Sequence, residues 1–375
     1  MRQRRIAIVL LFLSYGLAAR EIRNIAGETR AISVRTSEAF AEEQHSQPAH
    51  SGYAIKVNVD SVLLNVAVQD SKTNRRLGGL KKEDFLVYED GKLQQIEQFM
   101  PSEAPVDLLL LLDVSGSTGV FLNLMKQATI DFIGKIKPND RIAIAAFSSQ
   151  VDLISNFTGD RAEAERAIQQ IRAGGGTAFF DALMTCVDQY MRDIVKRSAI
   201  VVFTDGIDNQ LDGGFPAGSR TTFDELYRKV QNSEPTIYTI FLDTVGHGPR
   251  GSSDRSSPSL SSAGHGRDSK PDSAVSDSES KDTQGLEPFE VAMNQLRMIA
   301  DQTGGRMYSP RKIEELSGIY SDIARELMVQ YQIGYNPTNS ARDGRWRKIE
   351  VKVQGHPEAV VRTRKGYYAA KEGDR

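Results

Sequence analysis

The feature that most constrains the fold of this chain is a run of five leucines, Leu108–Leu112, that ends at the polar sequence Asp-Val-Ser-Gly-Ser of residues 113–117. The leucines do not alternate with polar residues, which is typical of a strand buried on both faces at the centre of a parallel sheet. A helical pattern follows from about Phe121. The polar sequence is therefore predicted to lie at the carboxyl end of a central strand, where open α/β sheets place their ligands.

The pattern of residues 104–331 predicts one α/β domain. Buried-strand patterns at 141–147, 198–204 and 236–243 alternate with helical patterns, and this spacing is typical of a doubly wound, mostly parallel sheet. The segment 151–157 alternates more and follows a short connection, so we expect an antiparallel strand at the edge of the sheet. The loops that follow the parallel strands should then meet along one edge.

Strand patterns without helices flank this domain at residues 53–100 and 332–368. In the first segment, Phe85–Glu89 and Lys92–Phe99 flank Asp90-Gly91, a strong signal for a two-residue hairpin. Either segment alone has too few strands for a stable unit. We therefore expect the two segments to pair as halves of one β-sandwich, with the α/β domain inserted between them. Two independent β domains are the alternative.

The chain termini and one internal stretch lie outside these predicted domains. Residues 1–19 combine early arginines, a short apolar run and small residues at its end, which predicts a signal peptide; an uncleaved membrane anchor is the alternative. Residues 20–52 are predicted to be a flexible leader, and 369–375 a short tail. Residues 245–286 are dominated by Ser, Gly and Asp and are predicted to be a disordered insertion.

Net charge and cysteine content narrow the functional classes. The formal net charge is −2 at pH 7, so composition gives no electrostatic reason to expect binding of nucleic acid or of an anionic membrane. Cys186 is the single cysteine of the chain and cannot form an intramolecular disulfide. Its place within a helical pattern predicts a small buried residue with no reactive role.

Five oxygen-bearing residues are predicted to meet at the edge of the sheet. Asp113, Ser115 and Ser117 follow the leucine strand, whereas Thr177 lies in a triple-glycine loop and Asp205 follows a later central strand. Two carboxylates and three hydroxyls, without His or Cys, suit a hard cation, with Mg²⁺ the first choice and Mn²⁺ or Ca²⁺ as alternatives. Because three of the five ligands are neutral, the cation keeps positive charge and attracts an anion. A carboxylate of a partner protein would serve.

These motifs resemble those of the von Willebrand factor A-type domain and its metal-ion-dependent adhesion site. The first motif of the family, Asp-x-Ser-x-Ser, is matched at 113–117, its threonine motif at Thr177, and its final aspartate at Asp205. The resemblance implies that Ser115, Ser117 and Thr177 touch the metal directly and that the two aspartates act largely through bound water. It covers about residues 104–331. The layout of the whole chain also resembles secreted bacterial proteins that contain a related A domain.

The residues and the resemblance together predict an exported module for protein binding or adhesion, which binds a divalent cation and recruits an acidic group of a partner protein. The alternative is a structural or envelope-assembly protein in which the metal only stabilises the fold. Neither a nucleic-acid partner nor a stable membrane span after signal removal is expected. The acidic residues of 245–286 are either an intramolecular competitor for the open metal position or part of a passive loop.

Catalytic interpretations have little support in the sequence. The start of the 113–117 motif is similar to that of the aspartyl-phosphate phosphatases, but Ser115 stands where their second aspartate acts as general acid. Neither a nucleophile elbow of the form Gly-x-Ser-x-Gly nor a phosphate-binding loop is found. The histidines lie in the leader, in the insertion and in a turn, a poor arrangement for a catalytic triad or a zinc site. We therefore expect no enzymatic activity.

Overall fold

A computed structural model describes residues 61–194, 196–209, 218–242 and 288–373. The predicted signal peptide, the flexible leader and the insertion at 245–286 lie outside the described residues. The assignments made for these segments from the sequence therefore stay predictions. None of the helices in the described part of the chain has the length and apolar character that a membrane span needs.

The described strands and helices follow one another as the sequence pattern predicts. In chain order, the strands are β1 (Val62–Asp70), β2 (Phe85–Glu89), β3 (Lys92–Gln94), β4 (Ile96–Met100), β5 (Asp107–Asp113), β6 (Arg141–Phe147), β7 (Val151–Thr158), β8 (Ser198–Thr204), β9 (Thr236–Phe241), β10 (Met307–Tyr308), β11 (Tyr331–Tyr335), β12 (Trp346–Val353), β13 (Ala359–Arg362) and β14 (Gly366–Tyr368). The α-helices are α1 (Leu122–Ile133), α2 (Arg161–Gln170), α3 (Phe179–Thr185), α4 (Phe223–Gln231), α5 (Pro288–Gln302) and α6 (Leu316–Leu327).

The leucine strand β5 lies inside a six-stranded sheet of order β10-β9-β8-β5-β6-β7. Its neighbours β6 and β8 both run parallel to it, and β9 and β10 continue the parallel arrangement. Only β7, at the edge, is antiparallel to its neighbour. The predicted doubly wound, mostly parallel sheet is therefore confirmed.

Helices on both faces of this sheet explain why the leucines of β5 do not alternate with polar residues. Leu108, Leu110 and Leu112 pack in a core with α1, α2 and α6. Leu109 and Leu111 pack in a second core with α3, α4 and α5. Every residue of β5 is buried, so both faces of the strand need apolar side chains.

The remaining strands form two four-stranded sheets, β13-β1-β11-β4 and β14-β12-β2-β3. Each sheet combines strands from before and after the α/β unit, because β1 pairs with β11 and β2 pairs with β12. Their facing side chains, among them Leu64, Val87, Ile333 and Val351, share one apolar core. The two β segments are thus halves of one sandwich, with the α/β unit inserted between β4 and β11.

Two details of the sandwich differ from the sequence prediction. The predicted single strand Lys92–Phe99 is wrong, because the chain passes between sheets at Gln95: β3 pairs with β2, whereas β4 pairs with β11. The strand β14 was not expected and pairs with β12. The hairpin before β3 is confirmed, since Asp90 and Gly91 both have positive φ, 49° and 79°.

A buried arginine fastens the α/β unit to its surroundings. Arg197, just before β8, is fully buried, and its guanidinium donates to the carbonyls of Ser102, Ala104 and Leu327. Two of these carbonyls belong to the linker before β5, and the third lies at the end of α6. One side chain therefore holds the entry and the exit of the α/β unit together.

Candidate metal centre

The first three predicted site residues lie at the end of β5 and in the loop after it: Asp113 is the last residue of the strand, and Ser115 and Ser117 follow in the loop. Asp113 is fully buried, and its carboxylate accepts hydrogen bonds from the Ser115 N–H at 2.9 Å and from the Thr204 hydroxyl at 2.6 Å. The Ser115 and Ser117 hydroxyl oxygens lie 3.1 Å apart. Ser115 is buried whereas Ser117 is exposed. The loop therefore places a carboxylate inside the protein and a hydroxyl at its surface.

Thr118 fixes the shape of this loop, a role that the sequence alone does not indicate. Its hydroxyl donates to the carbonyls of Asp113 and Ser115, at 2.9 and 3.1 Å. A side-chain hydroxyl that bonds to nearby backbone in this way is typical of Ser and Thr in turns. The turn brings the side chains of Ser115 and Ser117 to the same side of the loop.

The triple-glycine loop brings Thr177 to the same edge of the sheet. The Gly116 N–H donates to the Gly175 carbonyl at 3.1 Å, and the Gly174 N–H donates to the Val114 carbonyl at 2.8 Å. Gly175 has φ +89°, and a Cβ there would lie 3.1 Å from the hydroxyl oxygen of Ser148. Glycine is therefore needed at this position for both its backbone conformation and its close contact.

Asp205 follows β8, the strand beside β5, and is buried like Asp113. Its carboxylate accepts a hydrogen bond from the Ile207 N–H at 3.3 Å. The next residue, Gly206, has φ +72°, and its N–H donates to the Thr204 hydroxyl at 2.8 Å. Thr204 therefore bonds at once to the Asp113 carboxylate and to the backbone beside Asp205. The sequence does not indicate this role, because a buried strand residue looks like part of the core.

A second layer of polar residues ties Thr177 to the loop after β8. The Thr177 N–H donates to the side-chain oxygen of Asn209, and the Asn209 N–H donates back to the Thr177 carbonyl at 3.0 Å. Asp208, also buried, accepts from the Phe180 N–H at the start of α3 and from the Ser219 hydroxyl. Asp208 and Asn209 follow closely after Asp205-Gly206 in the sequence. Nothing in the local sequence indicates that they bond to the segment that begins at Thr177.

The two aspartates of the site interact unfavourably when both are charged. Burial, and then the negative charge of Asp205, raise the pKa of Asp113 above its ordinary value. The hydrogen bonds from Ser115 and Thr204 act in the opposite direction but are weaker. A cation between the carboxylates would remove the repulsion and favour the charged form of both.

The donor set fits a hard divalent cation. It contains carboxylate and hydroxyl oxygens, which such ions prefer. Among the described residues, no group of three or more His, Cys, Asp and Glu side chains lies close enough to hold a metal. A metal site in this part of the chain therefore depends on hydroxyls as well as carboxylates. Cys186 is buried, as predicted, and burial raises the pKa of its thiol.

The structure thus places all of the predicted residues in the loops at the carboxyl ends of β5 and β8 and in the glycine loop between them. The hydroxyls of Ser115 and Ser117 are in direct contact, and the carboxylates of Asp113 and Asp205 are close enough to repel each other when both are charged. Thr177 is bonded to Asn209 of the loop after β8, and its neighbours Gly174 and Gly175 are bonded to the loop after β5. Their assignment as metal ligands stays a prediction.

Residues 108–207 match the family model of the von Willebrand factor type A domain. No curated protein is significantly similar to this chain in sequence.

Solved structures give weak likenesses. BatB from Bacteroides thetaiotaomicron is 14% identical, with a TM-score of 0.40, and 59% of this chain aligns with 98% of that chain. The von Willebrand factor domain of the pilus tip protein Mfa5 from Porphyromonas gingivalis is 13% identical, with a TM-score of 0.40 and coverage of 60% and 95%. A von Willebrand factor type A protein from Catenulispora acidiphila is 14% identical, with a TM-score of 0.42 and coverage of 85% and 76%.

The family match covers β5 through β8 and includes the loops that hold Asp113, Thr177 and Asp205. The order and direction of the sheet are those that the sequence motifs led us to expect. Residues 108–207 of the α/β unit, from β5 to the loop after β8, therefore match the von Willebrand factor type A family.

Proposed function

We propose that this protein is a binding module that holds a divalent cation in its A domain and uses it to recruit an acidic group of a partner protein. The proposed ligands are Asp113, Ser115, Ser117, Thr177 and Asp205. Mg²⁺ is the proposed cation, with Mn²⁺ and Ca²⁺ as alternatives. When bound, the cation would supply positive charge at the protein surface. The module is proposed to act outside the cytoplasm and to have no catalytic activity.

The observation that supports the proposal is that the carboxylates of the site are buried whereas one of its hydroxyls is exposed to solvent. Asp113 and Asp205 are both buried, and the negative charge of Asp205 disfavours the charged form of Asp113, so a cation bound by both carboxylates would remove this repulsion. Ser117 lies in contact with Ser115 but is exposed to solvent. A cation held between the buried carboxylates and the exposed hydroxyl would keep one side open to a ligand.

Chelation and substitution test the proposal together. We expect Mg²⁺ to raise the Tm of the purified protein and EDTA to reverse the rise, because the ion binds only the folded site. Envelope extracts passed over the immobilised protein in Mg²⁺ should yield a partner that elutes with EDTA. Asp113→Ala should abolish both effects, whereas the exposed sandwich variant Ser340→Ala should preserve both. Partner capture that is indifferent to EDTA and to Asp113→Ala would refute the proposal.

A purely structural ion is the competing function, and it is favoured by the same buried aspartate pair. It predicts that Mg²⁺ raises the Tm but that Ser117→Ala leaves partner binding unchanged. Our proposal predicts that Ser117→Ala weakens partner binding, because this hydroxyl stands at the open side of the site. Comparing Tm with partner affinity for this variant separates the two functions.

A further inference from the structure

A groove lies beside the proposed metal loop on the side away from Asp205. It has a volume of about 320 Å³ and opens between the β6–β7 hairpin and the end of α2. We call it the side groove and define it by Val114, Phe147, Asp152, Ile154, Ile171 and Arg172. The proposed function does not use any of these residues.

The side groove shares its wall with the metal loop. Val114 lies between two proposed ligands in the chain, and its N–H donates to the Phe147 carbonyl at 2.8 Å. Its carbonyl accepts from the Gly174 N–H at 2.8 Å, at the start of the glycine loop. Ser148, another lining residue, accepts from the N–H of Ala178, next to Thr177, at 2.7 Å. A ligand at the metal would therefore lie next to the groove.

The floor of the side groove is apolar. Val114, Phe147 and Ile171 are buried beneath it. On the wall, Ile154 is 37% exposed and is one of few large apolar side chains that the described part of the chain leaves open to solvent. An apolar side chain entering the groove would cover this surface and gain free energy by leaving water.

The rim carries two charges that have no ion pair among the described residues. Arg172 and Asp152 both line the groove and are exposed. Lys126 is close to Arg172, and its pKa is lowered by burial and then by the charge of Arg172. Its ammonium already donates to the carbonyls of Gln169 and Ile171. The α2 side of the rim therefore has a positive electrostatic potential. On the hairpin side, the negative charge of Asp152 would repel an anionic ligand.

We propose that the side groove is a second contact point for the partner's acidic segment. A segment whose carboxylate reaches the metal places a neighbouring apolar side chain in the groove, against Ile154, and a second carboxylate beside Arg172. The charge of Asp152 sets the direction of the segment by repelling that carboxylate from the hairpin side. This inference rests on the proposed metal-dependent binding and adds the chemistry of the partner segment.

A peptide selection tests the inference. Displayed random heptapeptides with a fixed central Asp are selected on the full chain in Mg²⁺ and eluted with EDTA. We expect the selected peptides to carry an apolar residue and a second acidic residue at constant offsets from the Asp. Affinity for a selected peptide should fall at least about fourfold in Ile154→Ser, since burial of even one methylene contributes about fourfold to affinity. It should fall about two- to fivefold in Arg172→Gln, as for an exposed ion pair.

The controls separate this inference from the proposed function. Arg166→Gln, on the exposed surface of α2 outside the groove, should bind the peptide as the wild type does. All three variants should keep the wild-type rise of Tm with Mg²⁺, because none of them is a proposed ligand. If peptides that elute with EDTA bind Ile154→Ser and Arg172→Gln as tightly as they bind the wild type, the groove is not a contact point. The proposed metal-dependent function would be unaffected by that result. If no peptide elutes with EDTA, both fail.

Discussion

Thr204 offers the sharpest test of how the fold prepares the proposed site. Its buried hydroxyl donates to the Asp113 carboxylate at 2.6 Å and accepts from the Gly206 N–H at 2.8 Å. In Thr204→Val the shape of the side chain is nearly kept, but both partners lose their bond inside the protein. One carboxylate oxygen of Asp113 and the Gly206 N–H then lose their buried partner, whereas the Ser115 N–H still donates to the other carboxylate oxygen.

The size of the effect follows from the two bonds. Loss of a hydrogen bond to a charged group costs about 1.5–3 kcal/mol, and loss of a neutral one about 0.5–1.5 kcal/mol. We therefore expect the free energy of unfolding to fall by about 2–4 kcal/mol. At about 2–4 °C per kcal/mol for a domain of this size, the Tm should fall by about 4–16 °C. The affinity for Mg²⁺ should fall about 10- to 100-fold, as for outer-shell partners of metal ligands.

Calorimetry measures both quantities on the same samples. Thr239→Val is the matched control, because Thr239 is equally buried, lies on the adjacent β9 and makes only a neutral bond to the Leu296 carbonyl at 3.3 Å. It should lose about 1 kcal/mol and keep wild-type Mg²⁺ affinity. Thr204→Ser keeps the hydroxyl and should recover most of the affinity. Wild-type Mg²⁺ affinity in Thr204→Val would refute the reasoning.

Three further predictions test the site and its support. Asp205→Asn should be at least as stable as the wild type in EDTA, because it removes the repulsion on Asp113, and Mg²⁺ should no longer raise its Tm; an unchanged Mg²⁺ response in differential scanning fluorimetry would contradict this. Arg197→Met should lower the free energy of unfolding by at least about 3 kcal/mol, measured by urea denaturation, since three buried carbonyls at the two ends of the α/β unit lose their donor, at about 1–3 kcal/mol each. Gly206→Ala should cost about 1–2 kcal/mol for its positive φ and more for a Cβ that would lie 2.8 Å from Leu296; a loss below 1 kcal/mol would show that the loop relaxes.

The central sheet could be predicted from the sequence because its signals are local. Leu108–Leu112 must be covered on both faces, and that requirement alone indicates a central strand with helices on either side. Polar residues directly after such strands lie at one edge whatever the helices do in detail. This is why Asp113 and Asp205 could be placed together before their contacts were known.

Details within the sandwich were harder to predict because they depend on pairing between distant residues. Gln95 looks like the middle of a strand, yet there the chain leaves one sheet for the other. Gly366–Tyr368 is too short to give a periodic signal and becomes a strand only because Trp346–Lys348 lies beside it. Strand propensity of this kind reports the surroundings as much as the residue.

The sequence by itself determined the central parallel strand, the order of the elements and the set of oxygen-bearing residues that end the strands, because each follows from periodicity and chain order. Only the tertiary structure decided which residues support that set. Thr204, Thr118 and Asn209 look like ordinary strand and loop residues until their hydrogen bonds are seen. The side groove also exists only in the folded chain, since Val114, Ile154 and Arg172 come from three separate segments. Contacts across such distances are set by packing of the whole domain, which no local pattern encodes.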